Sequence, residues 1–197
     1  MKHAYTSAPA YWVHDSWLES GRPIRQVRHV RHERHARAAH AFLFDRYPQL
    51  SQVSLAGLPP ALPLWPRPAC ARLCRIVAAL AFARSLRRIV AAPARMAFAA
   101  GVAPHLLGTL QRHPRSGTAD LSVEPIPSLF NRRDMTALGL TLATHVAADS
   151  PYAFWWSLRL PREIVEAAAR YRVHGLSALE AQQLIADARR VMEGPAC

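Results

Sequence analysis

Carboxylates are scarce in this chain. Its 197 residues carry 13 Asp and Glu against 25 Lys and Arg, for a formal net charge of +12. The few acids are scattered, so the paired carboxylates that acid–base chemistry needs are not indicated. Cysteine is scarcer still. Three is an odd number, which argues against a disulfide framework and for a reducing compartment. Four-ligand zinc chemistry lacks the sulfurs it would require, because only Cys70 and Cys74 lie within reach of each other, one helical turn apart. Buried apolar packing is the expected state of both thiols.

Other absences narrow the function further. No glycine-rich phosphate loop, dinucleotide fingerprint, serine nucleophile elbow or kinase signature is present. The start of the chain shows no apolar signal core. The longest uncharged helical run, Met135 to Ala148, falls short of the roughly 20 residues a bilayer span needs. Tyr47 to Pro66 is uncharged as well but broken by prolines. These features predict a soluble, cytoplasmic, non-enzymatic protein with no cofactor and no metal.

What the chain does have is apolar bulk and arginine. Hydrophobic residues make up 51%, enough for a real core, and all but one of the 25 basic residues are arginine. A strongly basic balance raises the odds of an anionic partner. The alanine and arginine excess also fits a genome-wide compositional bias, so charge alone does not set a function.

The stretch from Pro66 to Ala92 organises the rest. Pro68 suits a first helical turn and Pro93 ends the run. Ala69, Leu73, Val77 and Leu80 make an apolar stripe, and Arg84, Arg87 and Arg88 continue it as a cationic end. One reading is a core helix whose last turn enters solvent. The other is that Arg84, Arg87 and Arg88 form a docking patch.

Upstream, Ala10 to Glu19 predicts a short helix with Trp12 and Trp17 on an aromatic face, available for packing or for a partner. Ile24 to Tyr47 predicts a second helix. Its arginines at 25, 28, 31, 34 and 37 precess around the axis, so it is solvated or grips an extended anion. His29, His32, His35 and His40 invite a metal reading, but the HERH run lacks metallopeptidase spacing and solvated histidines fit better. The proline-rich stretch up to Pro66 follows as a connector. The predicted organisation is an N-terminal helical segment over 1–50, a connector over 51–66 and a main helical body over 67–197.

Downstream, Pro93 to Val102 and Pro104 to His113 predict short helices. Leu121 to Val123 could be extended, with no visible strand to pair with it. Asn131, with Asp134, caps a helix that buries Leu138, Leu142 and Val146. His145 reads as a satisfied core or edge histidine. Ser150 and Pro151 restart a helix bearing Tyr152, Phe154, Trp155 and Trp156, the densest aromatic group and a second candidate partner surface. Pro161 and Glu163 open another helix, which stops near Gly175. Ser177 and Glu180 make a capping box for the last helix, with Leu179, Leu184, Ile185 and Ala188 as its apolar stripe. The sum is an all-α globule of about eight or nine helices with no substantial sheet.

Three stretches resemble a known family. They are Leu62 to Ala92, Met135 to Pro151 and Trp155 to Pro161. The matching pieces are LPL before a proline, Leu-Cys-Arg at Leu73 to Arg75, Arg-Arg-Ile-Val at Arg87 to Val90, and Ser-Leu-Arg-Leu-Pro at Ser157 to Pro161. The opening Ser7 to Leu18 is similar to the family's proline-aromatic start. The family is SctK (YscK, PscK, OrgA), accessory proteins of the type III secretion sorting platform, and the shorter Hrp-type members are the most similar. The resemblance implies an all-helical cytosolic adaptor on the cytosolic face of the injectisome. It would join the cytoplasmic domain of the inner-membrane ring protein, SctD, to the pod protein, SctQ, and through it to SctL and the ATPase SctN. The basic helix from Arg22 to His40 and the tail after Pro161 depart from the family pattern, and no catalytic motif is there to carry over. On this reading Arg84, Arg87, Arg88 and the Arg25 to Arg37 helix meet an acidic ring domain. Trp12, Trp17, Tyr152, Trp155 and Trp156 meet the pod. The competing expectation is nucleic-acid binding through the basic helix, with a steep salt dependence. A secretion chaperone fits poorly, since those are typically small, acidic, mixed α/β dimers.

Overall fold

A computed structural model describes residues 9, 12–18, 33–52, 65–102, 106–147 and 151–193. Among them are nine α-helices, several 3-10 turns and one two-stranded ribbon. The fold is all-α in character, as its apolar periodicities dictate. Among the described residues no helix is long and apolar enough to cross a membrane.

Helix α1 spans Glu33–Arg46 and leads into a 3-10 turn at Pro48–Gln52. The predicted helix from Ile24 lies outside the described residues up to 32, and so do most of its arginines and histidines. Helix α2 spans Arg67–Ala81, with Pro68 in its first turn. Every residue from Leu73 to Ala81 is buried. The single amphipathic stripe expected here is therefore corrected: from Leu73 onward α2 is enclosed on all sides, as suits the centre of a multi-helix body.

The long helix predicted to Ala92 is also corrected. At Phe82 the backbone leaves α geometry (φ −116°, ψ 30°), and a separate short helix, α3, runs over Ala83–Arg87. Helix α4 follows at Ala92–Gly101 with Pro93 in its first turn, and α5 at Leu107–Arg112. Strand β1, Ser122–Glu124, pairs antiparallel with β2, Arg172–His174, in the register Val123 to Val173. The partner strand that was not visible in sequence thus falls where a helix was expected to run on towards Gly175. Helix α8, Arg162–Ala168, stops first, and Gly175 turns the chain with φ +71°.

Helix α6 spans Arg132–Thr144. Asn131 caps it as its sequence requires, its Oδ1 accepting from the N–H groups of Arg133 and Asp134 at 2.8 and 3.4 Å. Helices α2 and α6 cross in close backbone contact. A Cβ on Gly139 would lie 1.8 Å from the Cys74 carbonyl oxygen, so only glycine lets the two backbones approach this closely. Helix α8 packs along α6, where the Thr141 hydroxyl donates to the Ala168 carbonyl at 2.8 Å. The last helix, α9, spans Ala178–Glu193 and covers α2 with Leu184, Ile185 and Ala188. Its capping box forms as expected, with the Glu180 carboxylate accepting from the Ser177 N–H at 2.9 Å. Leu179 does not join the stripe: it is 65% exposed. The His145 ring bonds the Leu176 carbonyl at 2.9 Å, which makes it a satisfied edge histidine.

Candidate functional site

The eight candidate contact residues separate into two groups. The aromatic candidates lie inside the molecule. Trp12, Trp17, Tyr152, Trp155 and Trp156 are all buried. Helix α7, Pro151–Ser157, carries the last three. Trp12 meets Trp155 at 4.5 Å between ring centroids, and Tyr152 stacks on Trp155 at 5.3 Å. Trp17 meets Tyr47 and Phe154 edge-on. These rings cement the N-terminal segment to the body, and they offer a partner no surface in this arrangement. Hydrophobic area explains why: each ring of this size removes 150–250 Å² from water when it packs.

The backbone confirms the attachment. The Trp17 indole N–H donates to the Leu160 carbonyl at 2.8 Å. The His14 N–H donates to the Leu158 carbonyl at 2.8 Å. The Arg162 N–H donates to the Ser16 hydroxyl at 2.8 Å. So the Ser157 to Pro161 motif receives the N-terminal segment along its main chain. Its arginine, Arg159, is only 3% exposed, with the guanidinium 5.4 Å over the Trp155 ring. Arg75, inside the Leu-Cys-Arg motif, is 6% exposed. Burial, and then the charges of Arg132 and Arg72, pull it down to about 10. Both motif arginines are therefore structural neighbours of the core rather than surface charges.

Cys70 and Cys74 are buried free thiols, as expected. Burial pushes Cys70 up to about 11, partly offset by the positive charge of Arg159, and raises Cys74 well above the ordinary thiol value. Neither is a nucleophile at neutral pH. Among the described residues no group of three His, Cys, Asp or Glu side chains could hold a metal ion. His40 is half-buried, and burial lowers its pKa. The side chain of His35 lies outside the described residues, as do His29 and His32.

The arginine candidates are on the outside. Arg84, Arg87 and Arg88 are all exposed, on or just after α3. None of them makes an ion pair among the described residues. A helix of five residues has no stability of its own in water. Two tertiary clamps hold it. At the start, the Asp120 carboxylate accepts from the Arg84 N–H at 3.0 Å, the Ser85 N–H at 3.1 Å and the Ser85 hydroxyl at 2.5 Å. At the end, the Gln111 side-chain amide donates to the Leu86 and Ile89 carbonyls, both at 3.1 Å. Asp120 thus spends its charge on backbone donors, and the three guanidinium groups stay available.

Beside them lies an open groove of about 460 Å³, lined by Arg87, Gln111, Arg112, His113, Pro114, Ser116 and Gly117. Arg112 is exposed and adds a second cation with no ion pair among the described residues. His113 accepts the Arg115 N–H on Nδ1 at 3.3 Å, and burial lowers its pKa, so it faces the groove neutral at pH 7. Arg115 itself is held by Asp187 at 2.9 Å. Asp120, Gln111 and Arg112 were not singled out from sequence. No local pattern marks a residue that caps a helix 35 positions away.

The surface is a cationic shoulder whose nearest acid, Asp120, is engaged by the Arg84 and Ser85 N–H groups and the Ser85 hydroxyl. No Asp or Glu occurs anywhere between Asp45 and Asp120. Such a region can bind and orient an anionic partner, and nothing in it arranges a nucleophile against a base. No protein-family model, curated protein or solved structure matches the chain.

Proposed function

We propose that this chain is a non-enzymatic cytosolic adaptor of a bacterial type III secretion system, linking the ring protein SctD to the pod protein SctQ. The reading rests on the resemblance of its three stretches to the SctK family. One structural observation carries it furthest. Arg84 and Arg87, on a short helix pinned at both ends, and Arg88 just after it stand exposed and make no ion pair among the described residues. Charges held in register by Asp120 and Gln111 suit recognition of an acidic surface, where complementarity sets on-rate and orientation. The buried aromatics leave the pod contact to other surfaces.

The test is a pull-down and titration of the intact chain against the soluble domain of the ring protein and against the pod protein. Arg87→Glu with Arg88→Glu is expected to weaken ring binding about tenfold or more while leaving the helical circular dichroism signal unchanged. Binding indifferent to that reversal removes the arginines from the interface. Binding to neither protein, together with a salt-sensitive grip on RNA in a gel shift, replaces the adaptor with the nucleic-acid reading.

A further inference from the structure

Helix α4 wears the chemistry of a core helix on its outside. Phe98 and Gly101 are its buried residues. At about 100° per residue, Pro93, Met96 and Ala100 fall on the opposite side. All three are exposed, Met96 by 72%, and Val90 just ahead of the helix is 78% exposed. Phe130 lies on the inward side instead, its carbonyl oxygen 3.5 Å from where a Gly101 Cβ would be, so it is not part of this stripe. A solvated helix ordinarily turns a polar face outward. Helix α9 does so with Gln182, Gln183 and Arg190.

The rim of this stripe is cationic. Arg87 and Arg88 precede Val90, and Arg95, within the helix, flanks the stripe; all are exposed and none makes an ion pair among the described residues. We infer that the outward stripe of α4, with its arginine rim, is the seat of an amphipathic helix from an acidic partner protein, one that presents small apolar residues edged by Asp and Glu. This deepens the adaptor reading and rests on it.

The chemistry of the stripe and its rim favours that occupant over three others. A strand has no edge to join, because the backbone of α4 is already bonded within the helix. A second copy would bring two rims of arginine together on chains of net charge +12. Membrane-surface helices carry Trp, Phe and Leu on the apolar side, whereas this stripe is Pro, Met and Ala. Small residues let two helix backbones come close, and the unpaired guanidinium groups match carboxylates that straddle the partner's seam. Three turns of helix make a small contact, so the arginine rim and the groove beside Arg87 supply the remaining area.

The test uses the intact chain and three probes: the soluble ring domain, the pod protein, and vesicles containing an anionic phospholipid. Met96→Asn with Val90→Asn removes apolar contact without altering charge, and both sites are exposed enough for the fold to survive, as circular dichroism would verify. One of the two proteins is expected to bind the double variant about tenfold more weakly. Leu179→Asn, an equally exposed apolar site on α9, is expected to bind as the unaltered chain does. Partner binding that ignores Met96 and Val90 overturns this inference while the adaptor reading stands. Binding to neither protein overturns both. Binding to the vesicles alone, or a dimer of the chain that the double variant abolishes, overturns the choice of occupant.

Discussion

Helices α2 and α4 are made of the same materials and used in opposite ways. Both are rich in alanine and carry arginine, with four larger aliphatic residues in α2 and two larger apolar residues in α4. In α2 the alanines from 78 to 81 are sealed inside, and even Arg75 is buried. In α4 the alanines at 92, 97 and 100 face water, and Met96 stands out among them. Alanine has no strong preference for either side of a fold, since burying one methyl contributes little. What decides is the neighbour. Helix α2 is enclosed by α6 and α9, while α4 fully buries just two of its residues, Phe98 and Gly101. The lesson is that the enclosed pair sets the fold, while the shoulder beside it keeps its arginines and Met96 in solvent.

The largest effect that would test this contrast comes from glycine. Gly139→Val is expected to prevent folding, and Gly139→Ala to cost about 3 kcal/mol or more, because the obstacle is the Cys74 carbonyl rather than a side chain that can step aside. The matching change on the shoulder, Gly101→Ala, meets only ordinary contact at 3.5 Å. It should leave stability within about 1 kcal/mol of the unaltered chain. Urea titrations of the two variants read the difference directly. If both cost the same, the helices do not cross where the structure puts them.

Trp156→Ala is next, with an expected loss of about 3–5 kcal/mol for a fully enclosed indole. Met96→Ala should change stability by less than about 0.5 kcal/mol, since its side chain lies in solvent. Asp120→Ala sharpens the comparison from the other side. It removes the clamp on α3 and should cost about 1–2 kcal/mol, as loss of a cap does. It should also weaken any binding that depends on Arg84 and Arg87, although Asp120 bears the opposite charge to the patch. An improvement in binding would mean that Asp120 merely screens the arginines.

Most of the helical content was legible in the chain because apolar spacing and caps are local. Asn131, Ser177 and Glu180 sit where their chemistry requires, and the two thiols are buried as a small hydrophobe should be. The misses share a cause. The break at Phe82 depends on Asp120, the ribbon on pairing across the sequence from Val123 to Val173, and the burial of Trp12 on the ring of Trp155. Each is a contact between distant residues, which periodicity cannot report. The aromatic candidates failed as surfaces for the same reason: a tryptophan reads alike whether its partner is another protein or its own chain. The arginines at 84, 87 and 88 were legible as exposed, but not as clamped.

Two smaller effects probe the enclosed half alone. Because burial raises Cys70 to about 11 from 9.0, the folded state holds the neutral thiol more firmly than the unfolded chain does. That contribution is intact below pH 9 and declines as pH climbs towards 11, by about 1 kcal/mol at pH 10. Cys74, raised further by burial, acts in the same direction. Denaturant midpoints measured from pH 8 to 11 should fall in Cys70-containing protein and fall less in Cys70→Ala.

Arg75 supplies the last comparison, between a charge inside and charges outside. Among the described residues its Nε is buried without a hydrogen-bond partner and no carboxylate pairs with it, and the charges of Arg132 and Arg72 oppose it. A buried cation in such surroundings opposes folding, so Arg75→Met, which keeps the packed stem and drops the charge, should leave the protein unchanged or stabilise it by up to about 1 kcal/mol. The same replacement at Arg87, which meets only solvent and the open groove, should not alter stability but should reduce binding to an acidic partner. A loss of stability at Arg75 would show that the buried guanidinium does make a favourable contact. The division between a structural interior and a binding shoulder would then run through α2 itself rather than between α2 and its neighbours.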